Sequence, residues 1–225
     1  MSDSYKIITL DGPSGAGKST VAKLIANRLG FKYLDTGAMY RAIAVYLTEH
    51  GISPENEKIV ADSISDITVE IRYENDVQML YLNGENVTGK LRTEEVGNMA
   101  SKASALPCVR EKLLSLQRNL AETNDVVMDG RDIGTNILPN AKLKIYLTAS
   151  IAVRAKRRYD ELVGKGEIGA DLAKIEKDIA LRDKQDMERK IAPLRMARDA
   201  VLVDSSLMGI DEVAETIIRL AKERR

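Results

Sequence analysis

The chain is poor in aromatic residues: among 225 residues there is no tryptophan, one phenylalanine and eight tyrosines. Its core must therefore be mostly aliphatic. A single cysteine, Cys108, excludes an internal disulfide; between Pro107 and Val109 in a helical stretch it reads as a small hydrophobe. A single histidine, His50, with no cysteine pair, leaves no zinc-ligand pattern, and its place beside Gly51 marks a helix end. No apolar run approaches ~18 residues, so no spanning helix is expected. The opening MSDSYK lacks the apolar stretch of a secretory signal. Neither sign of charge is in excess, with 34 Lys and Arg against 34 Asp and Glu. A general nucleic-acid or membrane-surface binder would need a positive field, so anions must bind here at local basic clusters. These absences lead us to expect a cytoplasmic protein with no nucleic-acid or membrane partner. With no evident exposed apolar stripe, we expect a monomer.

What is present is an alternation. Apolar runs at 5–10, 31–35, 125–129, 143–147 and 199–204 read as buried strands, and helical patterns fill most gaps between them. That order implies an α/β fold with a parallel sheet and helices on both faces. One segment interrupts it. ITVEIRY (67–73) has period two, VQMLYL follows a polar turn, and Asn83-Gly84 is a hairpin signal. This predicts a small inserted antiparallel meander, followed by two helices split near Pro107. From 152 to 195 the chain is helical and highly charged, with a hinge-like GKGEIGA at 164–170.

The strongest motif lies between the first strand and a helix predicted over 18–29, which Gly30 stops. Gly12, Pro13, Ser14, Gly15, Ala16, Gly17, Lys18, Ser19 and Thr20 satisfy G-x-x-x-x-G-K-[ST]. Glycines let successive backbone N–H groups turn inward as an anion nest, and the helix N-terminus adds partial positive charge. Lys18 can reach the β- and γ-phosphates, and Ser19 offers a hydroxyl to Mg²⁺. The loop is built for a nucleoside triphosphate; alone it does not say where the γ-phosphate goes.

Three further stretches bear on that. In LDTGAMYRA (34–42), Asp35 ends a strand, Thr36 and Gly37 turn, and Tyr40 and Arg41 open a helix beyond the carboxyl end of the sheet. In VVMDGRDIGT (126–135), Asp129 at a strand end suits a carboxylate that holds Mg²⁺ through water, and Arg131 and Asp132 follow on the loop. In RDKQDMERKIAPL (182–194), Arg182, Asp186 and Arg189 fall on one predicted helical face that Pro193 closes. Upstream, Ser150 is placed to cap a helix carrying Arg154, Arg157 and Arg158. Each has a plainer account: a surface arginine, a salt bridge that shapes a loop, a pair of solvated helices. Together they suggest a donor loop, an acceptor lobe and a cationic lid that excludes water during transfer to a small molecule.

With these motifs, and with LRTEEVGNMASKASALPCVRE (91–111), the sequence closely resembles the bacterial cytidylate kinases, a family of nucleoside-monophosphate kinases, over essentially its whole length. The resemblance implies a transferase of pyrimidine nucleotide metabolism that converts MgATP and CMP, or dCMP, to ADP and CDP or dCDP. It implies a three-layer P-loop core (1–66, 124–150, 196–225), a monophosphate-binding insertion (67–123) and a helical lid (151–195). By motif, Ser101, Arg110 and Asp132 would meet cytosine. Arg41, Arg131 and Arg189 would hold the acceptor phosphate, Thr36 would hydrogen-bond the acceptor, Tyr40 would be a further CMP-binding residue, and Arg182 and Asp186 would lie at the sugar. Lys18, Arg131, Arg189 and the lid arginines Arg154, Arg157 and Arg158 would carry catalysis, with Ser19 and Asp129 at the metal. Two rivals are another P-loop small-molecule kinase, such as one acting on shikimate, and a GTP switch. The second lacks the N-K-x-D guanine-reading motif here.

Overall fold

The computed structural model describes residues 6–167 and 169–223. Tyr5, the expected start of the first strand, the MSDSYK residues before it, Ile168 of the expected hinge and the last two residues of the expected core lie outside them. In chain order the helices and strands are β1 (Ile7–Asp11), α1 (Lys18–Leu29), β2 (Lys32–Asp35), α2 (Thr36–Glu49), α3 (Glu57–Ser63), β3 (Val69–Glu74), β4 (Val77–Leu82) and β5 (Glu85–Asn86). Then follow α4 (Glu94–Ala103), α5 (Pro107–Glu122), β6 (Val126–Gly130), β7 (Leu143–Thr148), α6 (Ile151–Gly164), α7 (Leu172–Glu188), β8 (Val201–Asp204) and α8 (Ile210–Glu223). A five-stranded sheet has the order β2-β6-β1-β7-β8, and a three-stranded sheet the order β3-β4-β5. The described residues form two compact units, one of residues 32–126 and one of 6–31 with 127–223.

In the second unit, β1 pairs parallel with β7, Ile8 opposite Leu143 and Leu10 opposite Ile145, and β7 pairs parallel with β8. Ile8, Leu10, Met128, Leu143, Ile145 and Leu147 are buried, as expected of strands covered on both faces. Helix α1 buries Val21, Ala22, Ile25 and Ala26 at helical spacing. Its C-cap Gly30 is left-handed, and Phe31 N–H donates to the Ala26 carbonyl at 2.9 Å. Phe31 is thereby part of the helix stop, and β2 begins one residue later than its apolar run suggests.

The 164–170 break is present, between α6 and α7. Helix α7, however, ends at Glu188 and not near Pro193. Arg189 leaves helical geometry (φ −60°, ψ 140°). Ala192 is left-handed at φ 46°, and Leu194 N–H returns to the Asp186 carbonyl at 2.7 Å. Arg189 therefore does not share a helical face with Arg182 and Asp186; a tight return of the chain places it.

In the first unit the meander is present. Both its turns have two residues at positive φ, Asn75-Asp76 and Asn83-Gly84, which matches the strand twist. It is also tied to the start of α2. Gln78 on β4 accepts from Asp35 N–H at 2.7 Å and donates to the Asp35 carbonyl at 3.3 Å. Tyr73 on β3 donates to the Tyr33 carbonyl at 3.0 Å. Asp35 itself caps α2 through Ala38 N–H, so Thr36 and Gly37 begin the helix.

Candidate active site

The glycine loop turns tightly at the end of β1. A Cβ on Gly12 would fall 2.0 Å from the Leu147 carbonyl oxygen, so no side chain fits there. Gly17 is the N-cap of α1 in the left-handed region, φ 85°, which leaves the first N–H groups of the helix without a capping side chain. Lys18 follows, only 6% exposed, and donates to the Pro13 carbonyl at 2.7 Å across the loop. Burial, and then the guanidinium of Arg131, push its ammonium down to about 7. An anion arriving in the loop would restore the charge. The Ser19 hydroxyl donates to Asp129 Oδ2 at 2.7 Å, and Asp129 is buried within β6.

Beyond β6, Asp132 precedes a π-helical turn over Ile133–Ile137. Its carboxylate accepts from Asn136 Nδ2 at 3.2 Å and Arg189 Nη2 at 3.3 Å. Arg131 Nε donates to Asp186 Oδ2 at 2.9 Å, and Arg189 Nε to the Ala192 carbonyl at 2.6 Å. Four of the residues singled out by motif, Arg131, Asp132, Asp186 and Arg189, thus form one alternating cluster of charge. Arg182 lies half-buried on α7.

The three arginines of α6 separate. Ser150 caps the helix as expected, accepting from Val153 N–H. Arg154 is buried, donating to the Ala149 carbonyl, to the Ser14 carbonyl at 2.9 Å and to Asp183 Oδ2 at 2.6 Å. It ties α6 and α7 to the glycine loop. Arg157 donates to the Ser205 hydroxyl and carbonyl, and Ser205 Oγ reaches the Ala16 carbonyl at 3.5 Å. Arg158 is exposed and pairs with Glu161 one turn on.

In the unit of residues 32–126, two clusters form. Arg41 and Arg92 approach the two oxygens of Asp35 at 3.9 and 3.8 Å, with Thr36 buried beside Asp35 in the chain. The Arg110 guanidinium lies 5.6 Å from the Tyr40 ring centre and donates to the Ser104 carbonyl at 3.0 Å. The Ser104 hydroxyl in turn donates to the carbonyl of Ser101.

Sequence reasoning passed over Asp11, Asp183, Gln78, Arg92 and Ser205. Only Asp11 carried a signal, an acid at the strand end directly before the first glycine of the loop. Lys144, a buried lysine paired with Asp199, borders a cavity of about 510 Å³ beside 134–136 and 192–199 that contains none of the glycine loop.

Among the described residues no group of three or more His, Cys, Asp or Glu could hold a metal, and no helix is long and apolar enough to cross a membrane. A hydroxyl bonded to a buried carboxylate is an oxygen pair suited to Mg²⁺, which keeps several waters and rides on phosphates. An uncapped helix N-terminus after a glycine loop, a buried lysine and a Ser–Asp pair at the ends of parallel strands are the features of a P-loop fold.

The family model described as Cytidylate kinase matches residues 8–223. The cytidylate kinase of Geobacillus thermodenitrificans is 47% identical over 217 residues, 96% of each chain. That of Caldicellulosiruptor bescii is 45% identical over 213 residues, 95% of this chain and 94% of that one. The chain belongs to the cytidylate kinase family. A solved structure of an uncharacterized protein from Eubacterium ventriosum aligns with a TM-score of 0.52 at 13% identity, covering 97% of this chain and 99% of that one; the likeness is of fold alone.

Proposed function

We infer that the protein transfers the γ-phosphoryl group of ATP to CMP or dCMP, giving ADP and CDP or dCDP. The observation that carries this reading is the intact donor loop, with Lys18 buried and Ser19 bonded to Asp129, in a chain of the cytidylate kinase family. An anionic oxygen of the monophosphate attacks the γ-phosphorus, the bond to the bridging oxygen breaks, and ADP leaves with that electron pair. No general base is needed, because the attacking phosphate is already ionised at neutral pH. Catalysis is then positioning and charge neutralisation.

The residue roles are part of the proposal. The loop 12–20 cradles the triphosphate, and Lys18 neutralises its β- and γ-oxygens. Ser19 directly, and Asp129 through water, would hold Mg²⁺, which supplies further neutralisation on the same oxygens. Arg131 and Arg189 serve the acceptor phosphate, Arg182 and Asp186 the sugar, and Asp132 accepts from the cytosine amino group. On residues 32–126, Thr36, Tyr40 and Arg41 serve the acceptor phosphate. Arg110 donates to the ring acceptors of cytosine, with Ser101 beside it. Arg157 and Arg158 serve the transferred group, and Arg154 supports them by holding the loop.

The test is ADP formation from MgATP with CMP, dCMP, UMP, AMP or no acceptor. Turnover concentrated on CMP and dCMP is expected. Turnover on another acceptor would overturn the base contacts, and turnover without any acceptor would indicate an NTPase.

A further inference from the structure

The π-helical turn at Ile133–Ile137 has a helix's usual deficit at its start, N–H groups with no partner inside the turn. The ordinary remedy is the side chain of the N-cap residue, and an aspartate is among the best. Here the N-cap is Asp132 (φ −143°, ψ 26°), yet its side chain makes no capping bond. Its oxygens accept instead from Asn136 and Arg189. The cap comes from elsewhere in the chain. Asp11, the last residue of β1, accepts Ile133 N–H on Oδ1 at 2.8 Å and Gly134 N–H on Oδ2 at 2.7 Å.

This arrangement is held closely. A Cβ on Gly134 would lie 3.1 Å from Lys144 Cδ and 3.2 Å from Thr9 Oγ1, so the turn sits hard against side chains of β1 and β7. Asp11 is 5% exposed, and burial raises its carboxyl to about 6 against the lowering effect of the two backbone donors. A buried carboxylate opposed by desolvation is an expensive way to satisfy two amides when an aspartate already stands at the N-cap. What it secures is the direction of the other aspartate.

We propose that Asp11 is a positioning residue for the acceptor base: by capping the 133–137 turn from β1, it keeps the Asp132 carboxylate turned toward Arg189 and available to the cytosine amino group. The proposal rests on the reading of Asp132 as a base contact. Without Asp11, Asp132 takes up the ordinary cap, accepting from Gly134 or Thr135 N–H, and turns away from the base.

The experiment compares kcat/KM for CMP and UMP in wild type, Asp11→Asn and Asp132→Asn, with KM for ATP alongside. Asp11→Asn retains one acceptor oxygen and replaces the other with a donor that faces an N–H. We expect its CMP-to-UMP ratio to fall about tenfold, in the range set by one polar contact, with KM for ATP within about threefold of wild type. A merely structural role would lower the melting temperature and leave the ratio alone, so a folded Asp11→Asn enzyme with a drop under about threefold overturns the proposal. If Asp132→Asn also leaves the ratio unchanged, the reading of Asp132 has failed and takes this inference with it. If only Asp132→Asn changes it, this inference alone has failed. Should Asp11→Asn not fold, hydrogen exchange on the wild type decides: Ile133 and Gly134 amides exchanging as slowly as those of β1 support the cap, and free-chain rates overturn it.

Discussion

The two compact units hold their charges in opposite ways. On residues 6–31 and 127–223, Lys18, Asp11, Asp129, Asp132, Arg154, Asp183 and Asp186 are all buried, and most are fixed by bonds under 3 Å. On residues 32–126, the side chains of Arg41 and Arg92 are 25% and 70% exposed and share Asp35 at nearly 4 Å. The first arrangement is built before any ligand arrives, at the expense of desolvated charge. The second leaves its guanidinium groups most of their hydrogen-bonding capacity. Preorganised electrostatics belong where charge develops in the transition state, whereas an arginine that only receives a phosphate can be ordered by it.

Breaking the buried arrangement should have the largest effect. Lys18→Met is expected to lower kcat about a thousandfold, the scale of losing one preorganised electrostatic contact, in the CMP-dependent assay. The same variant sharpens the contrast through pH. Lys18 titrates at about 7 in the fold, below its ordinary value of 10.5, so the unfolded chain binds more protons between those values. Its charge therefore destabilises the fold most below pH 7, and the penalty fades as pH rises toward 10.5. Lys18→Met should melt above wild type by a margin that is widest near pH 6 and closes toward pH 10. A constant margin would mean that the lysine is not desolvated. Asp183→Ala comes next. It strands the buried Arg154 guanidinium, and denaturant unfolding should show a loss of about 3 kcal/mol. A loss under about 1 kcal/mol would place that pair with ordinary surface pairs. The smallest effect belongs to residues 32–126. Arg41→Ala should leave unfolding within about 0.5 kcal/mol of wild type while KM for CMP rises about tenfold, since its pair with Asp35 is loose, at 3.9 Å. Equal damage to stability would erase the contrast.

Much of this was legible in the sequence because it is local. The extent of α1, the cap at Ser150, the Asn83-Gly84 turn and the loop 12–20 each depend on residues within one or two turns of one another. What escaped depends on partners far apart in the chain. Nothing near Asp183 marks it as the partner of Arg154, and nothing near Gln78 marks it as a clamp on Asp35. The early end of α7 escaped for a different reason. Its helical pattern continues past Glu188, but the left-handed Ala192 and the return of Leu194 to Asp186 take the chain elsewhere. Long-range capping overrides local propensity at these places, and two of them border the glycine loop or the charged cluster beside it.

The sheet order also has a consequence in time. The meander strands β3, β4 and β5 join through two-residue turns, so each can pair within microseconds of being made. Strand β1, which leads into the glycine loop, lies between β6 and β7, and both follow it by the whole of residues 32–126. As the chain leaves the ribosome, this strand is made before the whole of residues 32–126 and meets its neighbours β6 and β7 only after them. Until then IITLD is an apolar strand with two open edges, the kind of segment that chaperones and aggregates compete for.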